Sequence, residues 1–278
     1  MKWSLVFICA CFQLANASIP VGNRFKKVIW VVFENTNYKE AINQPDFANA
    51  AKLGALFTNL TAEDHPSQGN YIAMIAGSMH GVRNDSSRDL DGNHLGDLLE
   101  KSGRDWRVYA EDYPGNCFTG KNSGKYVRKH NPFISFLNVT KDPQRCAKIE
   151  SGENFDKDFA NNNLPEYSMY IPDMDNDGHD TGVKFAGKYL TGKFGKLMSL
   201  VKESNDYLLV ITFDESNMMD STNKIFTVAI GGSIISGSKN NQAVNHVTLL
   251  KLIEDEFSLG TLGTAEELKS PSLTGIWK

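Results

Sequence analysis

Cysteine is scarce in this 278-residue chain, at positions 9, 11, 117 and 146 only. The two in the body of the chain, Cys117 and Cys146, are too few for a thiolate metal site. Basic excess is missing as well. The 29 Lys and Arg face 33 Asp and Glu, a formal net charge of -4, so nothing draws the chain globally to nucleic acid or an anionic membrane. Beyond the first residues no apolar run is long enough to span a bilayer. Internal repeats, low-complexity tracts and linkers are absent, which points to a single domain. Aromatic residues are not lacking: at 10% of the chain, with 41% hydrophobic overall, they exclude a disordered polymer.

What is present begins with a targeting pattern. Lys2, an apolar stretch over residues 3–14 and Ala15-Asn16-Ala17 read as a secretory signal peptide, residues 1–17. The expectation is an exported domain over 18–278 without a stable membrane anchor. Cys9 and Cys11 leave with the signal. Cys117 and Cys146 remain, an even number in an oxidising compartment, and are expected to pair. Asn59, Asn84 and Asn138 open N-x-Ser/Thr sequons, with glycans expected at Asn59 and Asn138.

Short apolar runs rich in β-branched and aromatic residues, at 27–33 and 206–213, suit strands buried on both faces. Weaker strand signals fall at 106–110, 168–171 and 225–230. Helical patterns cover 46–53, 71–76, 95–102, 185–202 and 246–259. Residues 112–165 collect Gly, Pro, Asn and both Cys, and read as an excursion stapled by the disulfide. Strands alternating with helices imply a three-layer α/β/α sandwich around a mostly parallel sheet.

In such sheets ligands bind beyond the carboxyl ends of the strands. Two apolar runs end there in acid, the first in Glu34-Asn35 and the second in Asp214-Glu215. One such acid is more often a turn or cap; two strands ending alike favour a cation. Asp173, Asp175, Asp177, His179 and Asp180 form a dense cluster of carboxylates and imidazole. It suits zinc, manganese or iron(II), and four clustered carboxylates repel without a cation. The start of an EF-hand is present, but the Glu at the twelfth loop position is not. Ser67 lies in the turn His65-Pro66-Ser67-Gln68-Gly69-Asn70 opening a helix, where the free N–H groups favour an anion. By pattern alone Ser67 is an N-cap, and His246, at another helix start, is a structural histidine. A Ser-His-Asp hydrolase has material here but lacks the G-x-S-x-G elbow.

Taken in order, these motifs resemble the phosphoesterase family of secreted acid phosphatases and bacterial phospholipases C, within the alkaline phosphatase superfamily, over residues 27–259. The stretch from Tyr126 through Arg128-Lys129-His130-Asn131-Pro132 to Cys146 resembles the small acid phosphatases of fungi and related eukaryotes. The resemblance implies an alkaline-phosphatase-like fold and Ser67 as nucleophile. It implies Glu34, Asn35, Asp214 and Glu215 around one cation, and Asp175, His179 and His246 holding a second cation or the phosphate. Asn84 is similar to a phosphate-contacting asparagine. Asp214-Glu215 stands where two-zinc members have Asp-His, so one or two divalent ions among zinc, manganese, iron, calcium and magnesium remain open. His130, in its basic triplet, is expected to contact substrate as an imidazolium. The implied activity is acid phosphatase hydrolysis of phosphate monoesters through a phosphoserine. A phospholipase C or other phosphodiesterase, and a non-catalytic secreted binding protein, are the alternatives.

Overall fold

Seven consecutive apolar or β-branched residues with no side reserved for water can only be accommodated between two covering layers. That is the position of β1 (Lys27–Phe33), six of whose seven residues are buried. The computed structural model describes residues 19–263 and 273–278. The expected signal segment, residues 1–17 with Cys9 and Cys11, lies outside the described residues. After β1 come α1 (Tyr38–Asn43), α2 (Pro45–Leu53), β2 (Ala55–Phe57), α3 (Ser67–Ala76), α4 (Leu95–Lys101) and β3 (Trp106–Ala110). Then follow β4 (Asn122–Ser123), β5 (Tyr126–Val127), α5 (Leu137–Thr140), α6 (Pro143–Cys146), β6 (Ile149–Ser151) and α7 (Glu153–Ala160). The chain continues with β7 (Tyr167–Ile171), α8 (Val183–Lys202), β8 (Tyr207–Phe213), β9 (Thr227–Ile230), β10 (Lys239–Asn240) and α9 (His246–Glu256).

Eight strands form one sheet in the order β10-β2-β9-β8-β1-β7-β3-β6. All its pairings are parallel except those of β9, which runs antiparallel to β2 and β8. No helix separates β8 from β9, so the chain simply turns back. One helical layer is built from α1, α2 and α8, the other from α3, α4 and α9. On the first side Phe47 of α2 meets Phe33, Phe213 and Phe226 at 5.1–5.4 Å between ring centroids. On the second, every residue of α3 is buried, which makes it the central helix of its layer. Among the described residues no helix is long and apolar enough to cross a membrane.

The excursion over 112–165 differs from a detached cap. It opens with the β4–β5 hairpin, but β6 pairs parallel with β3 and closes the edge of the main sheet. Cys117 and Cys146 are joined by a disulfide, Cα atoms 5.3 Å apart. Asn59 is exposed in a turn. Asn138 is tied inward instead: its Nδ2 donates to Gly92 O at 3.4 Å and Asp97 Oδ1 at 3.0 Å. A glycan on that nitrogen would leave it one N–H and displace part of this bonding.

Candidate active site

Register brings the two acid-terminated strands together. β1 and β8 pair in parallel with Phe33 opposite Phe213, so Glu34 and Asp214 leave the sheet side by side. Asn35 takes a φ of 49°, a left-handed conformation that asparagine tolerates, and donates its N–H to Asp214 Oδ1 at 3.2 Å. Across from them α3 begins. Pro66 occupies its N-cap place and supplies no capping side chain. Ser67 does not cap either. Its hydroxyl donates to Glu34 Oε2 at 3.1 Å and lies 3.4 Å from Glu215 Oε1, so the N-cap explanation of this serine fails. Glu215 Oε2 accepts from Asn70 Nδ2 at 3.3 Å and sits 2.9 Å from His65 Nδ1. Asn70 Oδ1 also accepts the N–H groups of Glu63 and Asp64, pinning the loop that leads into α3.

The loop after β7 and the segment after β5 complete the wall. Asp177 is fully buried and its carbonyl accepts the N–H of Glu34 at 3.0 Å. His130 stacks on Tyr71, 5.0 Å between centroids and 15° from parallel. Its Nε2 lies 3.1 Å from Glu34 Oε1 and its Nδ1 3.5 Å from Asp177 Oδ2. The first contact falls outside hydrogen-bond geometry, and both its atoms lack a partner. Lys129 Nζ donates to Asp85 Oδ2 at 3.0 Å, and Asp85 Oδ1 accepts the N–H of Gln68 at 3.1 Å. This close approach requires Gly69, where a Cβ would come within 2.8 Å of Val82 O.

Gathering acids out of water has a predictable effect. Burial, then the charges of Asp214 and Asp177, push Glu34 well above the usual carboxylate range. Burial raises Asp177 and Asp214 in the same direction. Burial, with the charges of Asp214 and Asp85, pushes Glu215 up to about 9. Lys129 opposes this at Glu34 and Glu215, and against its own burial Glu34, Asp85 and Asp214 help hold Lys129 protonated. Burial, assisted by Lys129 and His179, holds His130 well below its ordinary value. This direction runs against the imidazolium expected of it, and Lys129 is the cation held in its charged form beside the acids.

A buried serine at a helix start, faced by acids from two adjacent strand ends, occurs in a chain whose residues 30–260 match the profile of the Phosphoesterase family. The chain belongs to the phosphoesterase family. It is 34% identical to a probable acid phosphatase of Kluyveromyces lactis, over 87% of this chain and 60% of that protein. It is 32% identical to an acid phosphatase of Aspergillus fumigatus, over 91% of this chain and 61% of that protein. It thus spans about 60% of the length of these curated fungal relatives. It is also 32% identical to a phosphatidylinositol-3-phosphatase of Mycobacterium tuberculosis, over 95% of this chain and 86% of that protein. In fold it is similar to a Vibrio parahaemolyticus protein of the alkaline phosphatase superfamily, with a TM-score of 0.59 at 12% identity, covering 86% of this chain and 68% of that one. The expected alkaline-phosphatase-like architecture is therefore the observed one.

Within this phosphoesterase-family chain, Glu34, Asn35, Ser67, Asp214, Glu215 and His130 come together, His246 adjoins them beside Phe213 and Asp214, and the remaining expected residues lie apart. Asn84 is exposed, and its Oδ1 accepts from Ser86 N–H and the Arg88 guanidinium; its neighbour Asp85 faces the site instead. Asp175 pairs with Lys125 at 2.9 Å near the surface. His179 is exposed, its Nδ1 2.8 Å from Asp180 Oδ1 and its ring 6.5 Å from that of His130. His246 has both nitrogens committed, Nδ1 to Glu63 Oε2 at 2.6 Å and Nε2 to Phe213 O at 3.0 Å. The ordinary structural reading of His246 is therefore the one the geometry supports, and the second-cation set is not assembled. Asp177 and Asp85 take part without having been assigned roles, and Lys129, one of the basic triplet Arg128-Lys129-His130 that could supply positive charge, is the member placed beside the acids. Asp177 was visible as part of the acidic cluster; no sequence signal separates Asp85 from Asn84.

Glu34 Oε1, Asp214 Oδ2 and Asn35 Oδ1 are buried without a hydrogen-bond partner. Unpartnered oxygens on mutually repelling, desolvated acids suit a hard divalent cation. Among the described residues, however, no group of three or more His, Cys, Asp or Glu is arranged to hold a metal ion as it stands. The donor chemistry fits one cation between Glu34, Asn35, Asp214 and Glu215, and the side chains would have to turn from Ser67 and from one another to close around it.

Proposed function

We propose that this chain is an exported, cation-dependent acid phosphatase that hydrolyses phosphate monoesters with Ser67 as nucleophile. One observation carries the reading: a buried serine hydroxyl donating to Glu34, with Glu215 3.4 Å away, at the first turn of a fully buried helix. Nothing in packing requires a hydroxyl flanked by two desolvated acids, whereas an attacking oxygen needs an adjacent proton acceptor. The names of the fungal relatives support the substrate class, and the exposure of Asn59 is consistent with a glycosylated, exported chain.

Ser67 Oγ attacks phosphorus while its proton passes to a carboxylate oxygen of Glu34 or Glu215, and the ester's alcohol oxygen departs, taking up a proton as it leaves. Either acid accepts that proton only in its ionised form, which Lys129 favours against the burial that raises both. The free N–H groups opening α3 favour the phosphoryl anion, and Lys129 adds a positive charge beside it. Water then cleaves the phosphoseryl bond and restores the hydroxyl. A divalent cation held by Glu34, Asn35, Asp214 and Glu215 would supply Lewis-acid stabilisation of the developing negative charge.

Purified protein, wild type and Ser67→Ala, assayed on 4-nitrophenyl phosphate, bis(4-nitrophenyl) phosphate and phosphatidylcholine tests the reading. The expected result is wild-type preference for the monoester and loss of about three or more orders of magnitude in kcat for the variant. Preference for phosphatidylcholine overturns the monoesterase reading, and an active Ser67→Ala overturns the mechanism.

A further inference from the structure

Beside the candidate site lies a cleft of about 560 Å3, within the size range of small-molecule pockets. It shares Asp85 and Lys129 with the catalytic cluster, so whatever leaves from a phosphoryl group near Ser67 has this space to occupy. Its opposite wall is the β4–β5 hairpin, which contributes Lys121 and Lys125, with Met174 and Asp180 at its side. The hairpin is held firmly. The Arg128 guanidinium behind it is buried and donates to Thr119 O, Arg88 O and Asp89 Oδ1 at 2.6–2.9 Å, and Arg128 N–H donates to Lys121 O at 2.9 Å.

Lys129 is paired with Asp85, and Lys125 with Asp175 at 2.9 Å and Asp180 at 3.8 Å. Lys121 is exposed and has no carboxylate partner among the described residues. An unpaired lysine lining a cleft that shares Asp85 and Lys129 with the catalytic cluster is a cation open to a negative group on whatever occupies it.

We propose that the cleft is a leaving-group subsite for phosphate monoesters bearing a second anionic group, which Lys121 engages. The proposal rests on the phosphomonoesterase reading above. Two matched probes test it: sorbitol 6-phosphate and 6-phosphogluconate, open-chain six-carbon monoesters that differ in carrying a hydroxymethyl or a carboxylate at the far end. In wild-type protein at low salt, kcat/KM is expected to favour 6-phosphogluconate by about three- to fivefold, the worth of one exposed ion pair. The ratio should fall towards one in high salt and in Lys121→Ala, and below one in Lys121→Glu. A wild-type ratio of one, or a preference that survives Lys121→Glu, overturns the subsite. 4-Nitrophenyl phosphate is the reference: its hydrolysis without discrimination between the probes removes the subsite alone, and failure to hydrolyse any of the three removes the phosphomonoesterase reading with it.

Discussion

At the scale of single residues the site separates charge from position. His130 is clamped between Tyr71 and buried acids, and burial pushes its imidazole well below its ordinary value, whereas Glu34 and Asp85 favour the charged form of Lys129. A monoester dianion gains more from that cation than a diester monoanion does. Lys129→Gln is therefore expected to lower kcat/KM for 4-nitrophenyl phosphate about tenfold more than for bis(4-nitrophenyl) phosphate. Equal losses would show that Lys129 does not select charge. Glu34, Asn35, Asp214 and Glu215 were legible in the sequence because each follows an apolar run that could only be a buried strand. Asp177 and Lys129 were visible only as members of the acidic cluster and the basic triplet, and Asp85 not at all. Their approach to α3 is decided by tertiary packing, and a one-residue difference separates exposed Asn84 from Asp85.

At the scale of elements, α3 positions the nucleophile and its neighbours hold it. Gly69 lets the loop at Val82 touch the helix. Gly69→Ala should push that loop away, break the Asp85 contact with Gln68 N–H, and lower kcat more than it lowers the melting temperature. A variant with wild-type kcat would show that the approach is not needed. The start of α4 carries a different sensitivity. His94 is buried among Trp106, Phe133 and Phe136, and its Nδ1 accepts the N–H of Gly96 at 3.1 Å. Burial lowers it to about 4. A depressed histidine contributes stability above its ordinary value near 6.5, and that contribution drains as pH falls through about 4. The melting temperature should thus drop between about pH 7 and about pH 4.5, and His94→Asn, which keeps a capping acceptor, should flatten the slope. An unchanged slope would assign the acid sensitivity to other groups.

At the scale of the molecule, the sandwich follows from strands too apolar to face water, and that much was readable from β1 and β8. The antiparallel β9 and the return of β6 to the sheet edge were not, because short segments carry no sign of their direction. The disulfide closes a loop of 29 residues, for which the chain-entropy relation gives roughly 3–4 kcal/mol. Cys117→Ser with Cys146→Ser should lower the melting temperature correspondingly. If a divalent cation binds the unpartnered oxygens at the sheet edge, adding manganese, zinc, magnesium or calcium to chelator-dialysed protein should raise the melting temperature, and Asp214→Asn should abolish the rise. No shift with any of these ions would leave the acids as proton acceptors alone. The central claim, that Ser67 Oγ takes the phosphoryl group, is tested most directly by acid-quenching wild-type protein during turnover of 4-nitrophenyl phosphate and mapping the adduct by peptide mass spectrometry. One phosphoryl group on Ser67, absent from Ser67→Ala, is the predicted result; a phosphoryl group on a histidine, or full turnover by Ser67→Ala, would contradict it.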